Sequence, residues 1–302
     1  MTDDPLVVPL IPDCSACMVN SLKTLIPLLT EDKQRQFELF STAFDILAEG
    51  FQEKKDPATL SIELYRDLYS MEDAVDPYHD IKKISNEAAK KGMKKVRERI
   101  NSLEGYEKLR AALASAIAGN MIDFNTAGHN PDLSKLVEAF VSIEEQGFAV
   151  DDSQKLWQQL KSRDGKMVFL ADNVGETYFD IPLVEIANAK DWTVTYVVKD
   201  KPMMNDVVLE DVRETGIEEI AEVITSGAWA FGVPKKWVSE EFLDSVAQAD
   251  VVISKGQANI ETFPEIQREL NVETYYISRA KCPHIASVLG VSKGENVVLR
   301  RK

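Results

Sequence analysis

The stretch MVFLADNVGETYFDIPLVEIANA, residues 167–189, decides the fold. Its first five residues are all apolar, as in a strand that is buried on both faces. From residue 178 onward, apolar side chains recur at helical spacing, which predicts a helix over residues 178–189. A strand that leads within a few residues into a helix is typical of a parallel sheet built from β–α–β units.

The same alternation continues to the C-terminal end of the chain. Four more short apolar runs, most of them rich in Val, Ile or Tyr, predict further strands at 194–198, 251–254, 274–277 and 297–299. Helical patterns lie between them, for example over residues 240–249 and 260–270. We therefore predict an α/β domain over residues 151–302, in which a mainly parallel sheet forms the middle of three layers.

Residues 1–150 have a different character. They contain few strand-like runs and are rich in Ala, Leu, Lys and Glu, which are good helix formers. Apolar side chains recur at helical spacing from Ile81 to Ile100, which predicts one long helix after Pro77. Since 302 residues also suggest about two domains, we predict a helical domain over residues 1–150 that precedes the α/β domain and packs against it.

Composition and charge exclude several classes of protein. The chain has 50 acidic and 35 basic side chains, a formal net charge of −15, which argues against nucleic-acid and anionic-membrane partners. No apolar stretch approaches the roughly 18 residues that span a bilayer. The acidic N-terminus does not resemble a secretory signal, and three cysteines do not make a disulfide framework. We therefore expect a cytoplasmic protein.

Polar side chains follow three of the predicted strands, at the point where each strand ends. They are, in chain order, Asp172, Asn173, Glu176 and Asp180; Asn205 and Asp206; and Lys255, Asn259 and Glu261. Ligands of open α/β sheets bind beyond the carboxyl ends of the strands, so we expect these groups to converge. Asp and Asn oxygens suit a hard divalent cation such as Mg²⁺, and a lysine beside it can hold a phosphate. Each residue alone is commonly only a helix cap or part of a turn, so their convergence is what favours a site.

Three signatures of common α/β enzymes are missing from the sequence. No Gly-x-Gly-x-x-Gly follows the first strand, which disfavours a dinucleotide-binding fold of the usual kind. The chain also has no Walker-type loop and no Gly-x-Ser-x-Gly elbow. The acidic, amide and lysine side chains at the strand ends are therefore the candidate functional groups.

The cysteines allow three interpretations. Cys14-x-x-Cys17 could be half of a zinc site that Cys282 and His284 complete. It could also be a redox pair. The third interpretation is that these are small residues packed where two domains meet.

Together, the motifs resemble those of the metal-dependent damage-control phosphatases, also described as acidic-residue-methyltransferase-like, in particular the branch with an N-terminal Cys-x-x-Cys. The matching pieces span nearly the whole chain in order: Cys14-x-x-Cys17, Asp76-Pro-Tyr with Lys82, Lys83 and Asn86, Gly119-Asn120-x-Ile-Asp123, Asp172-Asn-x-Gly-Glu176 with Asp180, Asn205-Asp206, Lys255-Gly-Gln-Ala-Asn259 with Glu261, and Lys281-Cys282. Any one piece is weak, whereas the ordered set is specific.

The resemblance implies an active site between the helical and α/β parts. A divalent ion (Mg, Mn, Co or Ni) would be held by Asp172, Asn173 and Asp206. Lys255 would bind the phosphate of the substrate, and the substrate pocket would be completed by Asn120, Asp123, Glu176 and Asn259. The implied activity is hydrolysis of small phosphorylated metabolites such as sugar phosphates or damaged phosphometabolites, with Asp172 and Lys255 as the catalytic residues.

Two alternatives stay open at this point. The first is an S-adenosylmethionine-dependent protein carboxyl methyltransferase, an activity that is also attributed to the family. The missing Gly-rich turn after the first strand argues against it. The second is a non-catalytic module that binds a metal or a metabolite.

Overall fold

The structure is a computed structural model that describes residues 6–120 and 133–302. Within these ranges it contains one seven-stranded sheet. The strands are β1 (Val150–Asp151), β2 (Gly165–Leu170), β3 (Trp192–Val198), β4 (Glu222–Thr225), β5 (Val251–Lys255), β6 (Thr274–Arg279) and β7 (Asn296–Arg301). The helices are α1 (Cys14–Leu29), α2 (Lys33–Glu53), α3 (Pro57–Met71), α4 (His79–Asn101), α5 (Gly105–Gly119), α6 (Leu133–Gln146), α7 (Ser153–Ser162), α8 (Thr177–Asn188), α9 (Leu209–Val212), α10 (Glu240–Ala247), α11 (Gln257–Thr262), α12 (Pro264–Leu270) and α13 (Pro283–Leu289).

The sheet is mainly parallel, as predicted. Its strand order is β1-β7-β6-β5-β2-β3-β4, and the pairing of β6 with β7 is its one antiparallel pairing within the described ranges. All five predicted strands are present. The sequence patterns missed β1 and β4, which lie at the two edges of the sheet and have only two and four residues.

Side chains of the strands alternate between two apolar cores, which makes the architecture three-layered. Met167 and Phe169 of β2 point into a core shared with α4, α5, α6 and α8. Val168 and Leu170 point to the opposite face, into a core shared with helices α10 to α13. Both faces of β2 are therefore buried, which explains why its sequence is a continuous apolar run.

The long helix predicted after Pro77 is α4, and the helix predicted over residues 178–189 is α8. The pattern over residues 260–270 belongs to two short helices, α11 and α12, instead of one. Pro264 occupies the first turn of α12, where a missing N–H does no harm, but it could not continue α11.

The helical part precedes the sheet and packs against it in two ways. Helices α1 to α3 form a third apolar core, which also receives Met203, Ala228 and Ala230 from the loops after β3 and β4. Helix α5 lies directly on α8, where a Cβ on Gly119 would come within 3.0 Å of the Phe179 Cβ. The domain boundary at residue 150 stays a prediction. In the described ranges, no helix is both long and apolar enough to cross a membrane.

Candidate active site

The carboxyl ends of β2, β3 and β5 lie side by side, because these strands are neighbours in the sheet. The loop after β3 turns back and pairs with the loop after β2. Val174 N donates to Asn205 O at 2.9 Å, and Val207 N donates to Asp172 O at 3.0 Å. The backbone thus places Asp172 and Asn173 beside Asp206, and the convergence predicted from the strand ends is present.

Asp172 and Asp206 are both nearly inaccessible, with 5% and 4% of their surface exposed. Burial raises the pKa of Asp172 to about 6, and the nearby Glu176 carboxylate adds to this increase. Burial raises the pKa of Asp206 to about 8; the Lys199 ammonium opposes that shift, and the Asp172 carboxylate adds to it. Asp172 thus disfavours the ionisation of its buried neighbour Asp206, and a cation placed beside the two acids would favour it.

The residues present fit a hard divalent cation. Asn173 Nδ2 donates to Glu176 Oε1 at 2.6 Å, so the amide oxygen of Asn173 stays available as a ligand. Asp206 Oδ2 is buried and has no hydrogen-bond partner among the described residues, with Lys199 Nζ 3.6 Å away. Two carboxylates and one amide oxygen suit an ion such as Mg²⁺, which retains several waters. This set has only two carboxylates, and in residues 6–120 and 133–302 no group of three or more His, Cys, Asp or Glu side chains is arranged to hold a metal. The amide oxygen of Asn173 is therefore needed as the third protein ligand.

Glu176 is held in place from three directions at the start of α8. Its Oε1 accepts hydrogen bonds from Asn120 Nδ2 at 2.9 Å and from Asn173 Nδ2 at 2.6 Å. Its Oε2 lies 2.8 Å from Lys255 Nζ. Glu176 is 1% exposed, so these contacts compensate for the loss of water around its charge.

Asn120 brings the helical part of the chain to the site. It caps the C-terminal end of α5, and its Nδ2 also donates to Asp172 Oδ2 at 2.5 Å. Its Oδ1 is buried and without a hydrogen-bond partner among the described residues. Asp123, the second pocket residue implied from this half, lies outside the described residues.

Lys255 ends β5 and is completely buried. Its Nζ donates to both carboxylate oxygens of Asp180, at 2.8 and 2.6 Å, in addition to its contact with Glu176. Burial alone would lower the pKa of Lys255, but the Asp180 and Glu176 carboxylates outweigh burial and raise it. Lys255 is therefore a permanent cation inside a buried ion network, and Tyr196 OH donates to Asp180 Oδ2 at 2.7 Å behind it.

Asn259 joins the ends of β2 and β5. Its Nδ2 donates to Lys255 O at 2.6 Å and to Ala171 O at 3.1 Å, and its Oδ1 has no hydrogen-bond partner in the described part of the chain. The neighbouring Gly256 has φ +86°, and a Cβ there would overlap Asp172 Oδ2. A glycine is required at this position because Asp172 occupies the space of a side chain.

Three lysines around the acids have no role that the strand-end pattern predicts. Lys199 is buried directly after β3, and its Nζ donates to Ala171 O at 2.8 Å. Lys82 reaches in from α4, with its Nζ 3.2 Å from carboxylate oxygens of both Asp76 and Asp211. Lys281 is exposed, and its charge lowers the pKa of Asp172. Lys199 directly follows a predicted strand, so its position at the site could have been predicted from the sequence. Lys82 and Lys281 do not follow predicted strands and stand out only as parts of the family motifs.

The three comparisons with known proteins agree. A family model described as the damage-control phosphatase ARMT1-like domain matches residues 10–297. An uncharacterized protein of Methanocaldococcus jannaschii is 34% identical over 291 residues, which cover 96% of this chain and 95% of the relative. A damage-control phosphatase of Pyrococcus horikoshii is 33% identical over 294 residues, which cover 96% and 97%.

Similarity extends to the fold. The crystal structure of a DUF89 family protein from Pyrococcus horikoshii matches with a TM-score of 0.85 at 30% identity, covering 97% of this chain and 99% of that chain. That match includes both the helical part and the sheet. The resemblance of the motifs is thereby confirmed, and the chain belongs to the damage-control phosphatase ARMT1-like family.

Proposed function

We propose that this protein is a metal-dependent phosphatase that hydrolyses phosphomonoesters of small metabolites. The observation that carries the proposal is the pairing of Asp172 with Asp206, two buried acids joined through their backbones, one of them with an oxygen that lacks a hydrogen-bond partner among the described residues. Family membership and the name of the Pyrococcus horikoshii relative support the same activity. Sugar phosphates or damaged phosphometabolites are the proposed substrate class.

Asp172, Asn173 and Asp206 would hold the divalent ion, with Mg, Mn, Co and Ni as the candidates. When bound, such an ion supplies Lewis-acid polarisation of a phosphoryl oxygen and favours ionisation of a water. Asn120 keeps Asp172 and Glu176 in fixed relative positions by donating to both carboxylates. Its unpartnered amide oxygen is available to accept a hydrogen bond from a substrate hydroxyl.

Two lysines would stabilise the phosphoryl group. Lys281 is exposed and close enough to act on Asp172, so it can meet an incoming phosphate directly. Lys255 lies deeper, where its contacts with Asp180 and Glu176 keep it charged and fixed. A preorganised cation of this kind stabilises negative charge without reorganising during the reaction. Direct contacts of Lys255, Asn259 and Glu176 with the substrate, and a cytoplasmic location, stay predictions.

Phosphate release tests the proposal. Protein freed of metal by chelation is incubated with p-nitrophenyl phosphate and a panel of sugar phosphates, with each of the four metals added in turn. We expect metal-dependent release that falls by roughly 100-fold or more in Asp206→Asn. The exposed Asp164 provides the matched control, since Asp164→Asn removes the same charge away from the site. Equal rates in the two variants would contradict the proposal, and methyl transfer from S-adenosylmethionine without phosphate release would favour the alternative.

The same phosphate-release assay tests the role of Lys281. We expect Lys281→Met to raise KM by roughly tenfold, because a charge-assisted contact with phosphate contributes about 1.5–3 kcal/mol. Lys293→Met is the control, since Lys293 is also exposed and lies in the same C-terminal region. An unchanged KM in Lys281→Met would remove Lys281 from the proposed site.

A further inference from the structure

All three cysteines of the chain lie where the start of α1 meets the start of α13. Cys14 is the first residue of α1, and Cys17 follows one turn later. Cys282 immediately precedes α13, and its Sγ accepts a hydrogen bond from Ile285 N at 3.4 Å. Nearly the whole length of the chain separates Cys14 from Cys282, so it is the tertiary fold that brings them near each other.

Two contacts join these helix starts. His284 Nε2 and Pro9 O are 2.7 Å apart, which links the segment before α1 to the first turn of α13. Leu6 and Val8 lie in the same apolar core as residues of α13. Burial raises the pKa of the Cys14 thiol, and negative charge on Glu261, Cys17 or Cys282 raises it further. Cys14 therefore lies within electrostatic reach of both other thiols.

The cysteine cluster fits thiol chemistry better than zinc binding. All three cysteines are free. Among the residues that the structure describes, they are not part of any group arranged to hold a metal ion. His284, the fourth ligand considered from the sequence, contacts the Pro9 carbonyl with Nε2. Three free cysteines within electrostatic reach of one another can carry out thiol–disulfide exchange.

We propose that Cys14, Cys17 and Cys282 form a thiol–disulfide exchange site that reacts with a low-molecular-weight disulfide and ends with a Cys14–Cys282 bond. Cys17 is the exposed member of the cluster, whereas Cys14 and Cys282 are half-buried. Cys17 is accordingly the thiol that reacts first with the small disulfide, and the final bond joins the two thiols that are less exposed to solvent. Shielded disulfides resist reduction better than exposed ones. This site does not depend on the proposed phosphatase function.

The exchange has three balanced steps. The Cys17 thiolate attacks one sulfur of the small disulfide, forms a mixed disulfide and releases the first small thiolate. The Cys14 thiolate then attacks Cys17 Sγ, forms a Cys14–Cys17 disulfide and releases the second small thiolate. Finally, the Cys282 thiolate attacks Cys14 Sγ and releases Cys17 as a thiolate. In sum, Cys14 and Cys282 lose two electrons and two protons, and the small disulfide is reduced to two thiols.

Mass spectrometry of the full chain tests the site. Reduced protein is equilibrated with oxidised glutathione, its remaining thiols are alkylated, and it is digested with trypsin without reduction. We expect a linked pair of peptides that joins Cys282 to the N-terminal peptide. Because one tryptic peptide carries both Cys14 and Cys17, fragmentation must assign the link, and we expect it at Cys14 with Cys17 alkylated.

Two variants sharpen the result. In Cys17→Ser, the Cys14–Cys282 bond should form at least tenfold more slowly, since the exposed entry thiol is gone. Cys282→Ser removes the bond but leaves a serine, a preferred N-cap, at the start of α13, so it should still fold. Oxidised wild type should melt roughly 5–10 °C above oxidised Cys282→Ser, because the bond closes a very long loop. Three alkylated thiols, glutathione adducts alone, or a Cys14–Cys17 disulfide as the final product would each overturn the proposal.

Discussion

Asn120 Nδ2 donates a 2.5 Å hydrogen bond to Asp172 Oδ2, so the end of a helix from the first half of the chain contacts an acid at the end of a strand from the second half. The same Nδ2 contacts Glu176 Oε1. One amide group thus fixes the separation of two carboxylates that would otherwise repel each other. The site depends on how the helical part sits on the sheet.

We expect Asn120→Ala to lower kcat by roughly 10- to 100-fold, because Asp172 and Glu176 lose their common donor in a buried setting. Steady-state phosphate release measures the effect. Asn101→Ala, at an exposed position near the end of α4, is the matched control and should keep wild-type activity. Equal kcat values for the two variants would show that Asn120 only packs the interface.

Metal binding should release protons. The pKa values of Asp172 and Asp206, about 6 and about 8, both exceed the ordinary value, so without metal Asp206 is still protonated at neutral pH and Asp172 takes up a proton near pH 6. A ligand must be deprotonated, and apparent metal affinity should therefore rise from pH 6 to pH 8.5. Titration calorimetry in two buffers with different ionisation heats counts the released protons. An affinity independent of pH, with no proton release, would contradict the assignment of these two acids as ligands.

The same pKa shifts determine how stability varies with pH. A carboxyl whose pKa is raised by folding stabilises the protein in its protonated form, and that contribution is lost as pH rises through the folded pKa. Metal-free protein should accordingly melt at a lower temperature at pH 8.5 than at pH 6. Saturating metal should reduce this difference, and Asp206→Asn should reduce it in the metal-free protein. Thermal melts of the three samples check the sign.

Lys255→Met should destabilise the protein by roughly 3–5 kcal/mol, because it leaves Asp180 and Glu176 buried without their cation. Lys281→Met is the control for the removal of a positive charge near the site, and it should cost less than about 1 kcal/mol since Lys281 is exposed. Urea unfolding gives both free energies. If both substitutions lower the free energy of unfolding by the same small amount, the ion network around Lys255 does not stabilise the carboxyl ends of the strands.

Gly256→Ala should abolish activity, since its Cβ would meet Asp172 Oδ2 and displace that carboxylate. Gly290 supplies the matched control, because it also has a positive φ, +69°, but nothing within 4 Å of an added Cβ. Gly290→Ala should therefore lose only about 1 kcal/mol of stability, from backbone strain alone, and keep its activity. Phosphate release and urea unfolding of both variants separate the clash from the strain.

The strands buried on both faces could be predicted from the sequence, because such strands are continuous apolar runs. The strand ends then indicated where Asp172, Asp206 and Lys255 would meet. The edge strands β1 and β4 could not be predicted, since they are short and owe their conformation to pairing with a neighbour. The partners of Lys255 were also beyond the sequence, because a Lys-Gly pair after a strand looks the same whether the ammonium faces solvent or a buried carboxylate. Only the packing of α8 on the sheet brings Asp180 beneath it.

The most direct measurement is an anomalous difference map from a crystal soaked in Mn²⁺ at a concentration that supports phosphate release. We expect a peak with oxygens of Asp172, Asn173 and Asp206 at roughly 2.0–2.4 Å, which is the usual range for hard divalent ions. A map with no peak at these residues, or with manganese bound only elsewhere, would contradict the assignment of the metal centre of a phosphatase to the carboxyl ends of β2 and β3.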